Sequence, residues 1–170
     1  MRQAFSLLIL ALLLTSCASV PTASRARLED DIREAVFRYQ FAEWKRPGAG
    51  AFYLDVSGGD TDPSDAFLKR FAKVQPTVKK CSKGKVNYLG AGVTDADTGK
   101  PGIIFRAGSV AWVTSTEVTV SGGFYENGQS ASGDSYIVSF FDGRWHVIAD
   151  RHEWIARADY LELNPQLCSI

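Results

Sequence analysis

Residues 117–155 read EVTVSGGFYENGQSASGDSYIVSFFDGRWHVIADRHEWI, and this stretch decides the fold of the chain. Apolar and polar side chains alternate along it with the period of two that is typical of strands with one buried face. Asn127-Gly128 and Asp142-Gly143 interrupt the alternation, and both pairs favour two-residue hairpin turns. We therefore predict an antiparallel meander with strands at 117–125, 130–141 and 144–155.

The sequence before this stretch extends the sheet. A long strand is predicted from Ile103 to Val113, with a bulge at Gly108-Ser109. The pair Gly122-Gly123 is expected to bend the strand that contains it. Shorter strand candidates are Ala51–Val56, Val78–Cys81 and Val86–Val93.

Two segments have helical spacing. From Leu28 to Lys45 apolar residues recur every three or four positions, and the acidic residues of the first turn suit the helix dipole. A second helix is predicted to begin with Asp62 as its N-cap and to continue to about Val74. Helices followed by long antiparallel strands indicate an α+β fold, in which N-terminal helices pack on a curved antiparallel sheet.

An aromatic N-terminal helix, a second short helix, and hairpins that contain Asp142–Val147 (DGRWHV) and Trp154-Ile155 resemble the nuclear transport factor two-like superfamily. The resemblance covers about Leu28 to Ala156. It implies a cystatin-like cone, in which a bent sheet wraps around helices. Within the superfamily the chain is similar to uncharacterised bacterial members, so the resemblance implies no particular reaction.

The first residues have the pattern of an export signal. The apolar run Ala4–Leu14 is too short to cross a bilayer, because a spanning helix needs about 20 residues. Leu14-Thr15-Ser16-Cys17 then resembles the lipobox of bacterial lipoproteins. The resemblance implies cleavage before Cys17, followed by acylation of its thiol and of its new amino group.

Several acyl chains hold a protein stably on a membrane. Ala18 and Ser19 follow the lipobox without an Asp, which in Gram-negative lipoproteins implies transfer to the outer membrane. We therefore expect a signal peptide over residues 1–16, a lipidated tether over 17–27 and a single domain over 28–170. The domain is expected to lie on the periplasmic face of the outer membrane.

Composition limits the partners and the redox state of the chain. Nineteen basic residues balance nineteen acidic residues, so no net positive field favours nucleic acid. Cys17 is taken by lipid in this interpretation. Cys81 and Cys168 would then lie in an oxidising compartment, where we expect a disulfide between them; two free thiols are the alternative.

The two histidines, His146 and His152, lie in the last predicted strand, with Asp150 between them. Even offsets place all three on one face of an unbulged strand, where they could form an acid–base site. The alternative is that they are polar residues on the solvent face of the sheet. No residues have the spacing of a metal site, and we predict neither a metal nor another cofactor.

Several aromatic residues are candidates either for pocket lining or for core packing. They are Tyr39, Tyr53, Trp112, Tyr125, Tyr136 and Trp154. Enzymes of the superfamily that the chain resembles combine such aromatics with one or two carboxylates or a histidine. The polar candidates here are Asp55, Arg106, Glu117, Asp134 and Asp150, and no catalytic motif maps onto them.

A basic segment, Lys69–Lys85, holds seven basic residues and no acidic residue. Such a segment could approach anionic head groups at a membrane surface. A solvated helix end and loop is the alternative interpretation.

Three hypotheses of function follow. The first is a lipid-anchored envelope protein without enzymatic activity, which binds a small apolar or aromatic ligand or an envelope protein. The second is a pocket enzyme of isomerase, dehydratase or hydrolase type, with His146, Asp150 or His152 as its base. The third is a structural or assembly lipoprotein that forms a homodimer through an exposed sheet face.

Overall fold

A computed structural model describes residues 22–44, 48–58, 61–87 and 92–156 of the chain. Strands account for about half of the described residues. The predicted signal peptide, Cys17 and Cys168 lie outside the described residues. In chain order the elements are α1 (Thr22–Glu43), β1 (Ala51–Asp55), α2 (Asp65–Lys69), β2 (Thr77–Lys80), β3 (Gly84–Asn87), β4 (Gly92–Asp95), β5 (Gly102–Trp112), β6 (Glu117–Asn127), β7 (Ser130–Phe141) and β8 (Arg144–Ile155).

Six strands form one sheet in the order β2-β1-β5-β6-β7-β8, and β3 pairs with β4 in a separate antiparallel ribbon. The four strands from β5 to β8 are antiparallel neighbours, so the predicted meander is confirmed. Asp142 and Gly143 have φ values of 50° and 76°, as the predicted hairpin turn requires. The predicted bulge at Gly108-Ser109 is also confirmed, because the register of β5 and β6 shifts between Ala107 and Val110.

The predicted fold class, an α+β cone with helices on a curved antiparallel sheet, is wrong. The chain is mostly sheet with a single long helix, and the sheet is mixed and not strongly curled. The mixed order arises at β1, which runs parallel to both β2 and β5. All five residues of β1 are buried, and this is the pattern of a central parallel strand rather than of a half-exposed antiparallel strand.

The two predicted helices also differ from the observed ones. Ser64, not Asp62, caps α2, and its Oγ accepts the N–H of Phe67 at 3.1 Å. Asp62 instead accepts the N–H and Oγ–H of Ser82, and α2 ends after five residues. The long helix begins at Thr22, so the last residues of the predicted tether, 22–27, are helical.

An aromatic core lies between α1 and one face of the sheet. Phe37 and Phe41 of α1 pack against Phe71, and Phe41 also packs against Phe52 of β1 and Phe105 of β5. On the other face a smaller cluster around Tyr53 and Tyr125 lies next to the β3–β4 ribbon. Within the described ranges, no helix is both long and apolar enough to cross a membrane.

Candidate functional site

A cavity of about 270 Å³ lies between the C-terminal end of α1 and the strands β7 and β8. Its lining combines aromatic rings with carboxylates, an imidazole and an amide. The lining residues are Tyr39, Gln40, Glu43, Trp44, Asp134, Tyr136, Asp150 and His152. Ionisable groups are concentrated at this place, on the face of the sheet that α1 covers.

A bulge in β8 brings Asp150 and His152 to this face. Val138 pairs with Val147 and Ile137 with Ala149, so Ile148 is an extra residue in the register. Because one extra residue reverses the alternation of a strand, residues after it change face. His146 therefore lies on the opposite face from Asp150 and His152, where its ring stacks on Phe141 at a centroid distance of 4.2 Å. The expectation that both histidines and Asp150 share one face is wrong.

Asp134 and His152 form the central pair of the site. Oδ1 of Asp134 lies 2.7 Å from Nδ1 of His152, and the carboxylate is buried while the imidazole is half exposed. The other carboxylate oxygen accepts the hydroxyls of Ser132 at 2.8 Å and Tyr136 at 2.9 Å. The hydrogen bond to Asp134 raises the pKa of His152 and holds its ring in one orientation.

Gln40 joins this pair to the helix. It is 1% exposed, and its Nε2 lies 3.0 Å from the Tyr136 hydroxyl and within 3.1 Å of the carbonyl oxygens of Arg106 and Gly123. Oε1 of Gln40 is buried and has no hydrogen-bond partner among the described residues. A single amide of α1 thus contacts β5, β6 and β7, and fixes the depth at which the helix sits on this part of the sheet.

Asp150 and Tyr39 form a second pair at the opening of the cavity. The Tyr39 hydroxyl donates to Oδ1 of Asp150 at 3.0 Å. Burial, and then the bond to Asp150, raises the pKa of Tyr39 to about 12, while burial and the charge of Asp134 raise the pKa of Tyr136. Both phenols are therefore neutral hydrogen-bond donors at ordinary pH.

The other sequence-predicted residues lie elsewhere. Of the six aromatic candidates, only Tyr39 and Tyr136 line this cavity. Tyr53 and Tyr125 are buried in the cluster on the far face, Trp112 lines a different cavity, and Trp154 lies over Gly133 beside a third. Sequence reasoning missed Gln40, Glu43, Trp44 and Ser132.

Most of the remaining polar candidates have structural partners. Asp55 is fully buried, and its carboxylate accepts a hydrogen bond from Nε of Arg106 at 2.9 Å. Glu117 accepts the Ser139 hydroxyl at 3.5 Å. In the basic segment, Arg70, Lys79 and Lys80 are all in ion pairs, so that much of its charge is compensated within the fold.

Cys81 is buried and disulfide-bonded. Its partner lies outside the described residues, so the pairing with Cys168 stays a prediction. In the part of the chain that the structure describes, no three His, Cys, Asp or Glu side chains come together as metal ligands. Comparison of the chain with protein-family models, with curated proteins and with solved structures finds no match.

Proposed function

We propose that this chain is a lipid-anchored envelope protein whose domain binds a small organic cation in the cavity between α1, β7 and β8. The observation that carries the proposal is the imbalance of charge in that cavity. Glu43, Asp134 and Asp150 line it, and His152 is the basic residue among the lining residues. Cavities lined by one sign of charge attract ligands of the other sign.

The carboxylates of Glu43 and Asp150 are the groups available to a ligand. Both oxygens of Asp134 are occupied by its own neighbours, as described above. Asp150 accepts Tyr39 through Oδ1 and keeps the acceptor capacity of its other oxygen. An ammonium group placed near Asp150 and Glu43 would make charge-assisted hydrogen bonds, which are stronger than bonds between neutral groups.

Aromatic rings and cavity size narrow the ligand class. Tyr39, Trp44 and Tyr136 line the same cavity, and rings of this kind attract cations held over their faces. Trp44 is itself held in place by Phe124, at a centroid distance of 3.9 Å. Because most ligand pockets measure about 300–1,000 Å³, a cavity of about 270 Å³ favours a ligand of few atoms.

Benzylamine and its neutral isostere benzyl alcohol test the charge preference directly. We expect benzylamine to bind with a dissociation constant of about 1 mM, and benzyl alcohol and benzoate to bind at least tenfold more weakly. The variant Asp150→Asn should weaken benzylamine binding roughly tenfold, because it removes a charge without changing shape. Asp97→Asn, an exposed turn residue outside the cavity, is the matched control. Equal binding of the amine and the alcohol would exclude the cation preference.

The anchor is tested separately. Mass spectrometry of the protein from its native cell should find an N-terminal Cys17 that carries acyl chains. An intact Met1 or an unmodified thiol at position 17 would remove the anchor and leave the cavity proposal standing.

A second candidate function is proton transfer by His152. The 2.7 Å contact between Asp134 and Nδ1 of His152 favours it, because a carboxylate on one ring nitrogen directs the other nitrogen to act as acid or base. Diethylpyrocarbonate should then modify His152, and benzylamine should protect it while leaving His146 unprotected. Protection of neither histidine would contradict a ligand at this imidazole.

A further inference from the structure

We propose that the end of the domain at which α1 begins docks on the surface of a phospholipid bilayer. This apolar end consists of Leu28, Trp112, Val113, Phe140, Phe141 and Trp145. The proposal rests on the lipid anchor at Cys17 proposed above, and it adds a defined contact and orientation to that anchor.

Two hairpin turns form the apolar end. Val113 follows the last residue of β5, and Phe140 and Phe141 end β7; the N–H of Phe140 donates to the carbonyl of Thr116 at 2.8 Å, which joins the two turns. Val113 is 60% exposed, Phe140 41% and Phe141 46%. Large apolar side chains exposed on adjacent turn tips are typical of a surface that contacts another apolar phase.

Behind these tips the end is open and aromatic. A cavity of about 690 Å³ has a lining that is mainly apolar, and its lining residues are Arg25, Leu28, Trp112, Ser115, Thr116, Phe140 and Trp145. The indole nitrogens of Trp112 and Trp145 are buried and have no hydrogen-bond partner among the described residues. Tryptophan rings are enriched at the membrane–water boundary. Here the ring of Trp112 is partly exposed, and Trp145 packs behind it.

Chain length places this end beside the membrane. Arg25 and Leu28 belong to the first turns of α1, and α1 begins at Thr22, five residues after Cys17. Five extended residues span at most about 18 Å. An acylated Cys17 therefore keeps the start of α1 within about 18 Å of the bilayer surface, whereas the other end of a 22-residue helix is about 33 Å farther along its axis.

The charges around the apolar end are of both signs, so that binding to a bilayer does not require anionic lipid. Arg25 pairs with Glu29 at 3.4 Å, and Asp142 lies two residues from Arg144 in the turn between β7 and β8. Positive and negative groups thus occur together at this end. We expect the contact to depend on apolar burial, so that phosphatidylcholine is sufficient and added salt changes little.

Tryptophan fluorescence in vesicles with brominated acyl chains tests the orientation. The full chain is produced in a bacterium that processes lipoproteins, and the purified protein is reconstituted into brominated phosphatidylcholine vesicles. The double variant Trp44→Phe/Trp154→Phe keeps Trp112 and Trp145, the two tryptophans of the apolar end. We expect the brominated chains to quench the fluorescence of this variant roughly twofold. The double variant Trp112→Phe/Trp145→Phe keeps Trp44 and Trp154, which are distant from the apolar end. We expect no quenching of its fluorescence.

A second pair of variants tests the turn tips. Phe141→Ser should reduce quenching of the Trp112 and Trp145 pair. Ile155→Ser, which changes an apolar residue that is more exposed than Phe141 and lies at the far end of β8, should not. Quenching of both tryptophan pairs, or of neither, would overturn the docking proposal.

The mass of the N-terminal peptide, measured on the same material, separates the two proposals. If Cys17 is acylated and the fluorescence of Trp112 and Trp145 is not quenched, the anchor proposal stands and the docking proposal fails. If Cys17 is unmodified and added vesicles still quench Trp112 and Trp145, the docking stands without the anchor. If Cys17 is unmodified and nothing is quenched, both are wrong.

Discussion

The helix α1 meets the sheet in two contrasting halves. In the aromatic half, Phe37 and Phe41 pack against phenylalanines of β1 and β5, and no polar atom is needed. In the polar half, Gln40 reaches Tyr136, and through it the pair of Asp134 and His152. Residues next to each other in the sequence, 40 and 41, therefore belong to different kinds of packing.

The comparison separates stability from recognition. Packed rings contribute in proportion to the apolar area they bury, and they leave nothing for a ligand to contact. Each hydrogen bond of a buried polar network contributes only about 1 kcal/mol net, since each group exchanges water for a protein partner. We therefore expect the polar network, which borders the cavity, to matter for the proposed binding, and the packed rings to matter for stability.

The largest expected effect is a loss of stability in the aromatic half. Phe105 is completely buried, so Phe105→Ala should lower the free energy of unfolding by about 3–5 kcal/mol. Benzylamine affinity, measured where the variant is folded, should be unchanged. Urea denaturation measures the free energy of unfolding. Phe105→Leu, which should lose much less stability, is the control for cavity size. A large loss of affinity in folded Phe105→Ala would mean that the two halves are coupled.

Removal of the Gln40 amide, which joins α1 to the polar half, should have an intermediate effect. Gln40→Leu keeps a similar volume but leaves the carbonyls of Arg106 and Gly123 without this donor. We expect a loss of about 1–3 kcal/mol, together with weaker benzylamine binding. Gln129→Leu, at an exposed turn, should change neither quantity. A fully stable Gln40→Leu would show that the network does not hold the helix in place.

Loss of the buried charge of Asp134 should affect the affinity for benzylamine more than the free energy of unfolding. Asp134→Asn keeps the shape of the side chain, so we expect roughly tenfold weaker benzylamine binding. The pKa of His152 should fall toward its ordinary value, because the bond to Asp134 is the main cause of its elevation. A proton NMR titration of the His152 ring measures the second effect. An unchanged His152 titration would contradict the pairing.

The smallest effect is a pH dependence of stability. The pKa of His152 is raised in the folded state, so its bond to Asp134 stabilises the fold fully below the unfolded pKa, near 6.5. That contribution is lost as pH rises through the folded pKa. The stability difference between the wild type and His152→Gln should therefore be larger at about pH 5.5 than at about pH 8.5.

Because the His152 side chain is 51% exposed, we expect this difference to stay below about 1 kcal/mol. Thermal unfolding at both pH values measures it. The same comparison in an Asp134→Asn background is the control, and there the trend should disappear. A trend that persists without Asp134 would assign the pH dependence to another group.

Local chemistry made part of this molecule predictable from its sequence. The alternation along 130–155 and the pair Asp142-Gly143 specify a hairpin, because period-two burial and a positive-φ turn leave few alternatives. The aromatic stripe of α1 likewise indicates a helix that packs on the sheet. Tyr39, Tyr136, Asp134, Asp150 and His152 were candidates from the sequence, and all five line the cavity. Gln40, a polar residue inside the aromatic stripe, was a further signal that sequence reasoning missed, because a buried polar group calls for partners.

The tertiary structure decided what the sequence left open. Parallel pairing of β1 depends on contacts with β2 and β5, which are distant in sequence, so no local pattern specifies it. The bulge at Ile148 has no turn residue to announce it, yet it moves Asp150 and His152 to the face opposite His146. The sequence by itself determined the four long strands β5 to β8 and the turn at Asp142-Gly143, because those preferences act between neighbours. Which ionisable groups meet in one cavity was decided only when strands and helix packed, because the extra residue Ile148 reverses the faces of Asp150 and His152.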